Sequence, residues 1–272
     1  MRKSLLVVLS TLACLTALLT AGSAEASRKA SVTLKPIPAQ SEVGKKVTLK
    51  GKFSGGRATV KLQRKYLTGG WQTVRKVSTN AKGKYAAKVS LTQGGTTAFR
   101  AVKGGAKSAV RSLKVYAWLD VVTQPALVDL EDVLLNTTVR LGGRSHPRSV
   151  VAFDQGESYL WLRPDQQCTT FQAWSGFRDG DTEGLVGTNE QLIGTVSITG
   201  AGQIVQQEHR TPVGPPVLRT SSVSGAEWLI VFADTDLDDA STGDHEAVLG
   251  HPRLRCNAPA LPSFDETDLP SV

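Results

Sequence analysis

Two successive stretches of the chain alternate apolar and polar residues with a period of two. In the first stretch, from about residue 31 to 116, the alternation recurs in short segments such as Val47–Phe53, Thr59–Gln63 and Ala98–Val102. Glycine pairs such as Gly55-Gly56 separate these segments at positions where hairpins reverse. About six or seven short strands joined by such turns predict an immunoglobulin-like β-sandwich.

The second stretch begins near residue 134 and alternates in the same way. Its clearest segments are Tyr159–Leu162, Cys168–Trp174, Ile193–Ile198 and Trp228–Phe232. About eight or nine strands joined by long loops favour a double-sheet jelly roll. The sequence therefore predicts an all-β fold, in which an N-terminal Ig-like β-sandwich is followed by a jelly-roll β-sandwich.

Charge divides the chain at the same place as this change of pattern. Residues 27–116 contain 21 Lys and Arg against the single acid Glu42, a net charge of +20. From residue 117 onward there are 9 Arg, no Lys and 22 Asp and Glu, a net charge of −13. So sharp a change predicts a basic domain over 27–117 and an acidic domain over 118–256. Residues 257–272 lack periodicity and are expected to form a disordered acidic tail.

The first residues of the chain have the pattern of an export signal. Arg2 and Lys3 precede an apolar run from Leu5 to Leu19, and Ala24-Glu25-Ala26 forms an A-x-A cleavage site. We therefore expect residues 1–26 to be a signal peptide and the mature protein to be secreted. The rest of the sequence contains no apolar run of about 18 residues, so no membrane span is expected after cleavage.

Two cysteines remain once the signal is removed. Cys168 and Cys256 have no C-x-x-C or C-x-x-H spacing of the kind that metal sites use. An oxidising compartment favours pairing them, so one disulfide is predicted. It would close a loop of roughly 90 residues and stabilise the fold by about 4 kcal/mol.

The basic residues of the first domain alternate with its apolar ones, so most of them face solvent. Lysine on strands also discourages sheet-to-sheet pairing, and this surface role is one explanation of the charge. The other is attraction to a polyanion, which for an exported protein would be an anionic polymer of the cell envelope. Nucleic acid is not the expected partner, because Tyr66, Trp71, Tyr85 and Phe99 are scattered and form no stacking platform.

One loop of the acidic domain concentrates carboxylates. Six of them lie within thirteen residues: Asp234, Asp236, Asp238, Asp239, Asp244 and Glu246. Hard oxygen ligands at alternate positions suit Ca²⁺, so Asp234, Asp236, Asp238, Asp239 and Glu246 form a candidate calcium loop. A solvated acidic loop, or a loop that contacts a ligand or a basic partner, are the alternatives. A second acidic segment, from Arg178 to Glu183, is expected to lie near it.

The order of short motifs in the acidic domain adds a resemblance. Those that carry it are Gly142–Ser145, Tyr159–Leu162, Cys168 with Phe171–Ala173 and Gly176, Gly194–Ile198 with Gly200–Gly202, Val223–Ala226, Leu229–Val231, Asp244–His245 and Pro252–Cys256. In this order they resemble the NPCBM family, the "novel putative carbohydrate-binding module", over about residues 134–256. The basic domain likewise resembles bacterial Ig-like modules over about 31–116.

The resemblance implies a jelly-roll domain that binds a glycan or a cell-wall polysaccharide without catalysis. Asp244 and His245 are then candidate polar contacts to a sugar, the alternative being a buried hydrogen-bonded pair that fixes their loop. The residues themselves show no G-x-S-x-G turn and no pair of carboxylates set apart from the rest, so no enzyme is expected. The sequence thus predicts a secreted, non-catalytic carbohydrate-binding-like protein associated with the bacterial cell envelope. A structural adhesion or spacer protein without a glycan site is the alternative.

Overall fold

The computed structural model of the protein describes residues 30–67, 69–129, 133–152, 158–181, 190–236 and 246–270. The predicted signal peptide, residues 1–26, lies outside these ranges. Apart from the two short 3-10 helices Val121–Thr123 and Glu266–Asp268, the regular structure of the described ranges is entirely β. None of the helices in this part of the chain is long and apolar enough to span a membrane.

The N-terminal sandwich is built from nine strands. They are β1 (Val32–Leu34), β2 (Gln40–Glu42), β3 (Lys46–Phe53), β4 (Thr59–Tyr66), β5 (Gln72–Ser78), β6 (Lys84–Ser90), β7 (Gly95–Lys103), β8 (Ala106–Lys107) and β9 (Arg111–Asp120). One sheet has the order β1-β3-β6, and the facing sheet has the order β9-β7-β4-β5. Their apolar faces enclose one cluster in which Leu49, Leu62 and Phe99 are fully buried.

The C-terminal sandwich follows with ten strands. They are β10 (Leu127–Asp129), β11 (Val133–Leu141), β12 (Arg144–Ala152), β13 (Ser158–Leu162), β14 (Cys168–Ser175), β15 (Glu190–Thr199), β16 (Ile204–Pro212), β17 (Val217–Ser222), β18 (Ala226–Asp236) and β19 (Ala247–Cys256). One sheet has the order β10-β13-β18-β15-β16, and the other joins β11, β12, β19, β14 and β17. The core between them includes Leu162, Phe171 and Leu254. The predicted all-β fold class, two sandwiches in succession, is confirmed.

Strand β9 belongs to both sandwiches. Its first half pairs with β7, through Arg111 to Val115, and its second half pairs with β19, through Ala117 to Asp120. The predicted boundary between residues 117 and 118 therefore falls inside a strand. No loop separates the two apolar cores at this point, so the sheets are hydrogen-bonded to each other through one continuous strand.

The described part of the predicted tail, residues 257–270, packs against the C-terminal sandwich. Ala258 and Leu261 are buried in the C-terminal core, and the ring of Phe264 meets the edge of Trp228 at 5.1 Å between centroids. The Ala258 carbonyl also lies against Gly94 of the N-terminal sandwich, where any Cβ would clash with it. Isolated apolar residues anchor this segment without a repeating pattern, and periodicity alone does not detect such anchors.

The predicted disulfide between Cys168 and Cys256 is confirmed. The two residues face each other in the register of β14 and β19, and both are buried. Because β19 also pairs with β9, the bridge lies beside the strand shared by the two sandwiches.

Candidate functional site

The outer face of the C-terminal sheet is open beside the shared strand. In β9, Ala117 and Leu119 contribute to the C-terminal core, so Tyr116 and Trp118 project from the opposite face. Trp118 is 39% exposed, and the other aromatic side chains whose burial the structure describes are less exposed. We call this surface the junction face and define it by Tyr116, Trp118, Gln172, Thr220, Arg253 and Arg255.

Planar hydrogen-bonding side chains lie next to the exposed ring. The Arg253 guanidinium stacks on Trp118 at 4.6 Å from the ring centroid and donates through Nη2 to Gln172 Oε1 at 3.2 Å. Gln172 in turn donates through Nε2 to Thr220 Oγ1 at 3.2 Å. The four side chains come from β9, β19, β14 and β17 and therefore cross the sheet in a row about 14 Å long.

A second row contains the ion pair between the two domains. Arg255 stacks over Tyr116 at 4.0 Å from its centroid, donates through Nε to Glu42 Oε1 at 2.9 Å, and donates through Nη1 to Thr169 Oγ1 at 3.0 Å. Glu42 is the only acid among residues 27–116. The one negative charge of the basic domain is therefore used to hold an arginine of the acidic domain.

The predicted calcium loop is only partly described. Asp238, Asp239, Asp244 and His245 lie outside the described residues, and Asp234 and Asp236 fall at the end of β18, paired with β15. No group of three or more His, Cys, Asp or Glu in the described ranges is arranged to hold a metal ion. Calcium binding at this loop stays a prediction.

Glu246, the last carboxylate of that set, lies against the second acidic segment. Its carboxylate accepts two hydrogen bonds from Arg178 Nη1, at 2.9 and 3.1 Å, and its backbone N–H donates to Asp181 Oδ2 at 3.0 Å. Hydrogen bonding to Glu246 raises the pKa of Arg178. The structure thus brings the two acidic segments together, with Arg178 neutralising Glu246.

Two histidines, His146 on β12 and His251 on β19, lie near the junction face. The ring of His146 is buried against Trp174 at 5.4 Å between centroids, and burial, aided by His251 and Arg144, lowers the pKa of His146. The pKa of His251 is lowered by burial and by Arg253 and Arg148, and its Nε2 lies 2.8 Å from Asp120 Oδ1. Both shifts favour the neutral form of the ring.

These lowered pKa values predict that acid destabilises the C-terminal sandwich. Unfolded histidine has a pKa of about 6.5, so the unfolded chain takes up protons below that pH before the folded chain does. The stability that the neutral rings contribute is complete above pH 6.5 and is lost as the pH falls towards the folded pKa values. We expect a lower melting temperature at pH 5 than at pH 7, and a smaller difference in His146→Gln. An unchanged pH dependence in that variant would contradict this role of His146.

The junction face is not predicted from the sequence. Tyr116 and Trp118 lie next to the predicted domain boundary, where the change of charge is a stronger signal than two alternating aromatic residues. The sequence contains two alternating patterns that could have indicated the face, Tyr116-x-Trp118-x-Asp120 and Arg253-x-Arg255. Only the pairing of β9 with β19 shows that these two segments are neighbours.

Comparisons with known proteins give only distant similarities. No family model matches the chain, and no curated protein matches it. Among solved structures, it is similar to the CBM51-2 and INT domains of Clostridium perfringens ZmpB, with 12% identity, coverage of 65% of this chain and 40% of that one, and a TM-score of 0.39. The same domains in complex with GlcNAc give 11% identity, coverage of 87% and 42%, and a TM-score of 0.40.

A third similar structure is the CBM51 of Clostridium perfringens GH95 in complex with methyl-galactose. It is 11% identical, covers 51% of this chain and 99% of its own, and has a TM-score of 0.37. The alignment with the two ZmpB structures thus spans about two fifths of their length. Identities and TM-scores this low do not establish a shared ligand.

Proposed function

We propose that the protein is a secreted, non-catalytic glycan-binding protein of the bacterial cell envelope, and that the junction face is its sugar site. The observation that carries the proposal is the row formed by Trp118, Arg253, Gln172 and Thr220 on an open sheet face. The export pattern of residues 1–26 and the order of NPCBM-like motifs over 134–256 support it independently.

A sugar ring offers an apolar face and a rim of hydroxyl groups, and the junction face offers complements to both. The exposed ring of Trp118 can cover the apolar face, while the side chains of Arg253, Gln172 and Thr220 can exchange hydrogen bonds with the rim. The stacking of Arg253 on Trp118 and its bond to Gln172 hold these groups in place before a ligand arrives. Such preorganisation lowers the entropy lost on binding.

The charged groups around the face support binding rather than catalysis. Asp120 is engaged by Arg148 and by His251, and Glu42 is engaged by Arg255. A glycosidase needs two carboxylates whose environments hold one protonated and the other ionised. Asp120 and Glu42 are instead both paired with arginine.

The basic domain would add attachment to an anionic polymer of the envelope, as its net charge of +20 over residues 27–116 suggests. Asp244 and His245 remain candidate sugar contacts, and the loop containing Asp234, Asp236, Asp238, Asp239 and Glu246 remains a candidate calcium site. Both would be additions to the junction face, and neither is required by it.

Replacing Trp118 tests the proposed sugar site. The protein without residues 1–26 is first screened on a glycan array, and the best ligand is then titrated by calorimetry. We expect Trp118→Ala to weaken binding at least about tenfold, because it removes the stacking surface and frees Arg253. Gln172→Ala should weaken the same ligand more modestly.

Trp71→Ala provides the matched control. Trp71 also lies under an arginine, Arg100, at 4.1 Å from the ring centroid, but it belongs to the N-terminal sandwich. Its replacement should leave glycan affinity unchanged. An equal loss in both variants, with both correctly folded, would refute the assignment of the junction face.

The spacer hypothesis also has a specific observation in its favour. The continuous strand β9 and the pair Glu42–Arg255 join the sandwiches without a flexible linker, as expected of a rigid stalk. Absence of any ligand on the glycan array would favour this alternative.

A further inference from the structure

The three-stranded sheet of the basic domain carries lysines on its outer face. In β3, Val47, Leu49 and Phe53 point into the core, so Lys50 and Lys52 project outward. Lys52 lies directly opposite Lys84 of β6 in the antiparallel register. On the other side, the backbone N–H of Lys35 donates to the Lys50 carbonyl at 2.8 Å, which brings Lys35 beside Lys50.

Protection of a sheet edge can explain Lys84, on the edge strand β6, but not Lys50 and Lys52. Lys50 and Lys52 belong to β3, which is the central strand of the sheet, flanked by β1 and β6. Edge protection concerns the outermost strands, where backbone groups are unpaired. Like charges directly opposite each other on neighbouring strands are destabilising, so the pair of Lys52 and Lys84 opposes folding unless an anion lies between them.

The domain has no acid of its own to neutralise these lysines. Glu42 is the only carboxylate among residues 27–116, and it is bound to Arg255 at the junction. An anion for the outer face of this sheet must therefore come from outside the domain. A surface that is unfavourable without its counterion is typical of a binding site.

The four lysines line one cavity of about 480 Å³, together with Ser78 and Asn80. The Asn80 carboxamide oxygen is fixed by the backbone N–H groups of Lys82, at 3.0 Å, and Lys84, at 2.9 Å. Its NH₂ group is therefore the part left to donate to a ligand. The cavity therefore has a strong excess of hydrogen-bond donors, namely the ammonium groups of the lysines, the NH₂ group of Asn80 and the hydroxyl of Ser78. Such an excess suits an anion.

A neighbouring cavity extends this site in one direction. It measures about 510 Å³, shares Ser78 and Asn80 with the first, and adds Arg57 to the lining. Lysines two apart on a strand are about 7 Å apart, and those opposite on adjacent strands are about 5 Å apart. The positive charges are thus spaced at intervals of about 5–7 Å along two adjoining cavities. Such a row matches a chain of anionic groups better than a single ion.

We infer that this lysine cavity, defined by Lys35, Lys50, Lys52 and Lys84, binds a linear polymer of phosphate-linked units that carries no bases. Lysine binds phosphate groups as a point charge, and the charged groups of the first cavity are all lysines, with Arg57 added by the second. The one aromatic residue of the lining, Tyr85, is buried with its hydroxyl bonded to the Thr33 carbonyl and offers no stacking platform for bases. The inference deepens the envelope-attachment part of the proposed function and does not depend on the junction face.

The test measures binding of linear inorganic polyphosphate to the protein without residues 1–26. Lys52→Gln/Lys84→Gln should weaken binding on the order of tenfold and should reduce the slope of log affinity against log salt by about 1.5. Lys61→Gln/Lys76→Gln is the matched control, because those two lysines also face each other across adjacent strands, but on the opposite sheet, where they line neither of the two cavities. The control should change the affinity by less than about twofold.

Each other outcome contradicts the inference. Equal losses in the two double variants would show diffuse attraction to the whole domain. Orthophosphate binding as tightly as the polymer would show an isolated ion site. An oligothymidylate that binds more tightly than polyphosphate at equal phosphate concentration would make nucleic acid the ligand.

Further controls distinguish a loss of polyphosphate binding from misfolding and from a loss of glycan binding. Lys52→Arg/Lys84→Arg retains the charges and should retain binding, and melting curves should show that Lys52→Gln/Lys84→Gln is folded. Glycan affinity at the junction face should be unchanged in every lysine variant, so either proposal can fail while the other holds.

Discussion

Removal of the disulfide, as in Cys168→Ala/Cys256→Ala, is expected to lower the free energy of unfolding of the C-terminal sandwich by about 4 kcal/mol. The bridge joins residues that are 88 apart in sequence, so it removes many conformations from the unfolded chain. It also fastens β14 to β19 at the end where β19 pairs with β9. A loss of this size is comparable with the whole stability of many domains.

Urea denaturation followed by tryptophan fluorescence measures this effect. Four of the five tryptophans, Trp118, Trp161, Trp174 and Trp228, belong to β9 or to the C-terminal sandwich, so the signal reports mainly on it. Wild-type protein reduced with dithiothreitol separates the loss of the cross-link from the loss of side-chain packing, because both thiols remain. A decrease of less than about 1 kcal/mol in reduced protein would show that the bridge adds little to stability.

Gln191→Leu is expected to destabilise the same sandwich by about 3 kcal/mol. Gln191 is fully buried on β15, where its Oε1 accepts from the Gly176 N–H at 2.6 Å and from Ser175 Oγ at 3.2 Å. Its Nε2 donates to the Val248 carbonyl at 2.7 Å. One side chain thus connects both sheets, and leucine, of similar size, would leave two buried donors and one buried acceptor without this partner.

Gln207→Leu is the control for this experiment. Gln207 also makes two hydrogen bonds to the backbone, from Nε2 to the Ser222 carbonyl at 2.6 Å and from the Ser222 N–H to Oε1 at 3.1 Å, but these bonds are exposed. Water can replace them, so we expect a loss below about 1 kcal/mol. Equal losses in the two variants would mean that burial of Gln191 is not what makes its bonds matter.

The fold was largely predictable because strands with one buried face alternate apolar and polar residues with a period of two. Short strands such as β1 and β2 were missed, since three residues are too few for a period to be visible. The continuity of β9 was predictable in principle. Inward-facing residues keep the same parity across the charge boundary, namely Leu113, Val115, Ala117, Leu119 and Val121. The change of charge concerns the solvent-facing residues, so it marks a change of surface and not a break in the strand.

The candidate site was much less predictable. Arg253 and Gln172 are 81 positions apart, and Trp118 is farther still from Arg253. Their contact depends on the order of strands in the sheet, which no local pattern encodes. The disulfide could be predicted because only two cysteines were left to pair, whereas the aromatic and arginine residues had many possible partners.

The shared strand β9 would also limit how the protein binds the two proposed ligands at once. Two sites joined by a flexible linker can bind two ligands over a range of separations, and the gain in avidity then depends on linker length. Here β9 passes directly from one hydrogen-bonded sheet to the next, so the lysine cavity and the junction face are held at one distance and one angle. A matrix that presented both ligands in that geometry would be bound bivalently. A matrix that presented the two ligands in another geometry would be bound through a single site. The fixed strand would therefore make the protein selective for matrices in which the two ligands have the matching spacing.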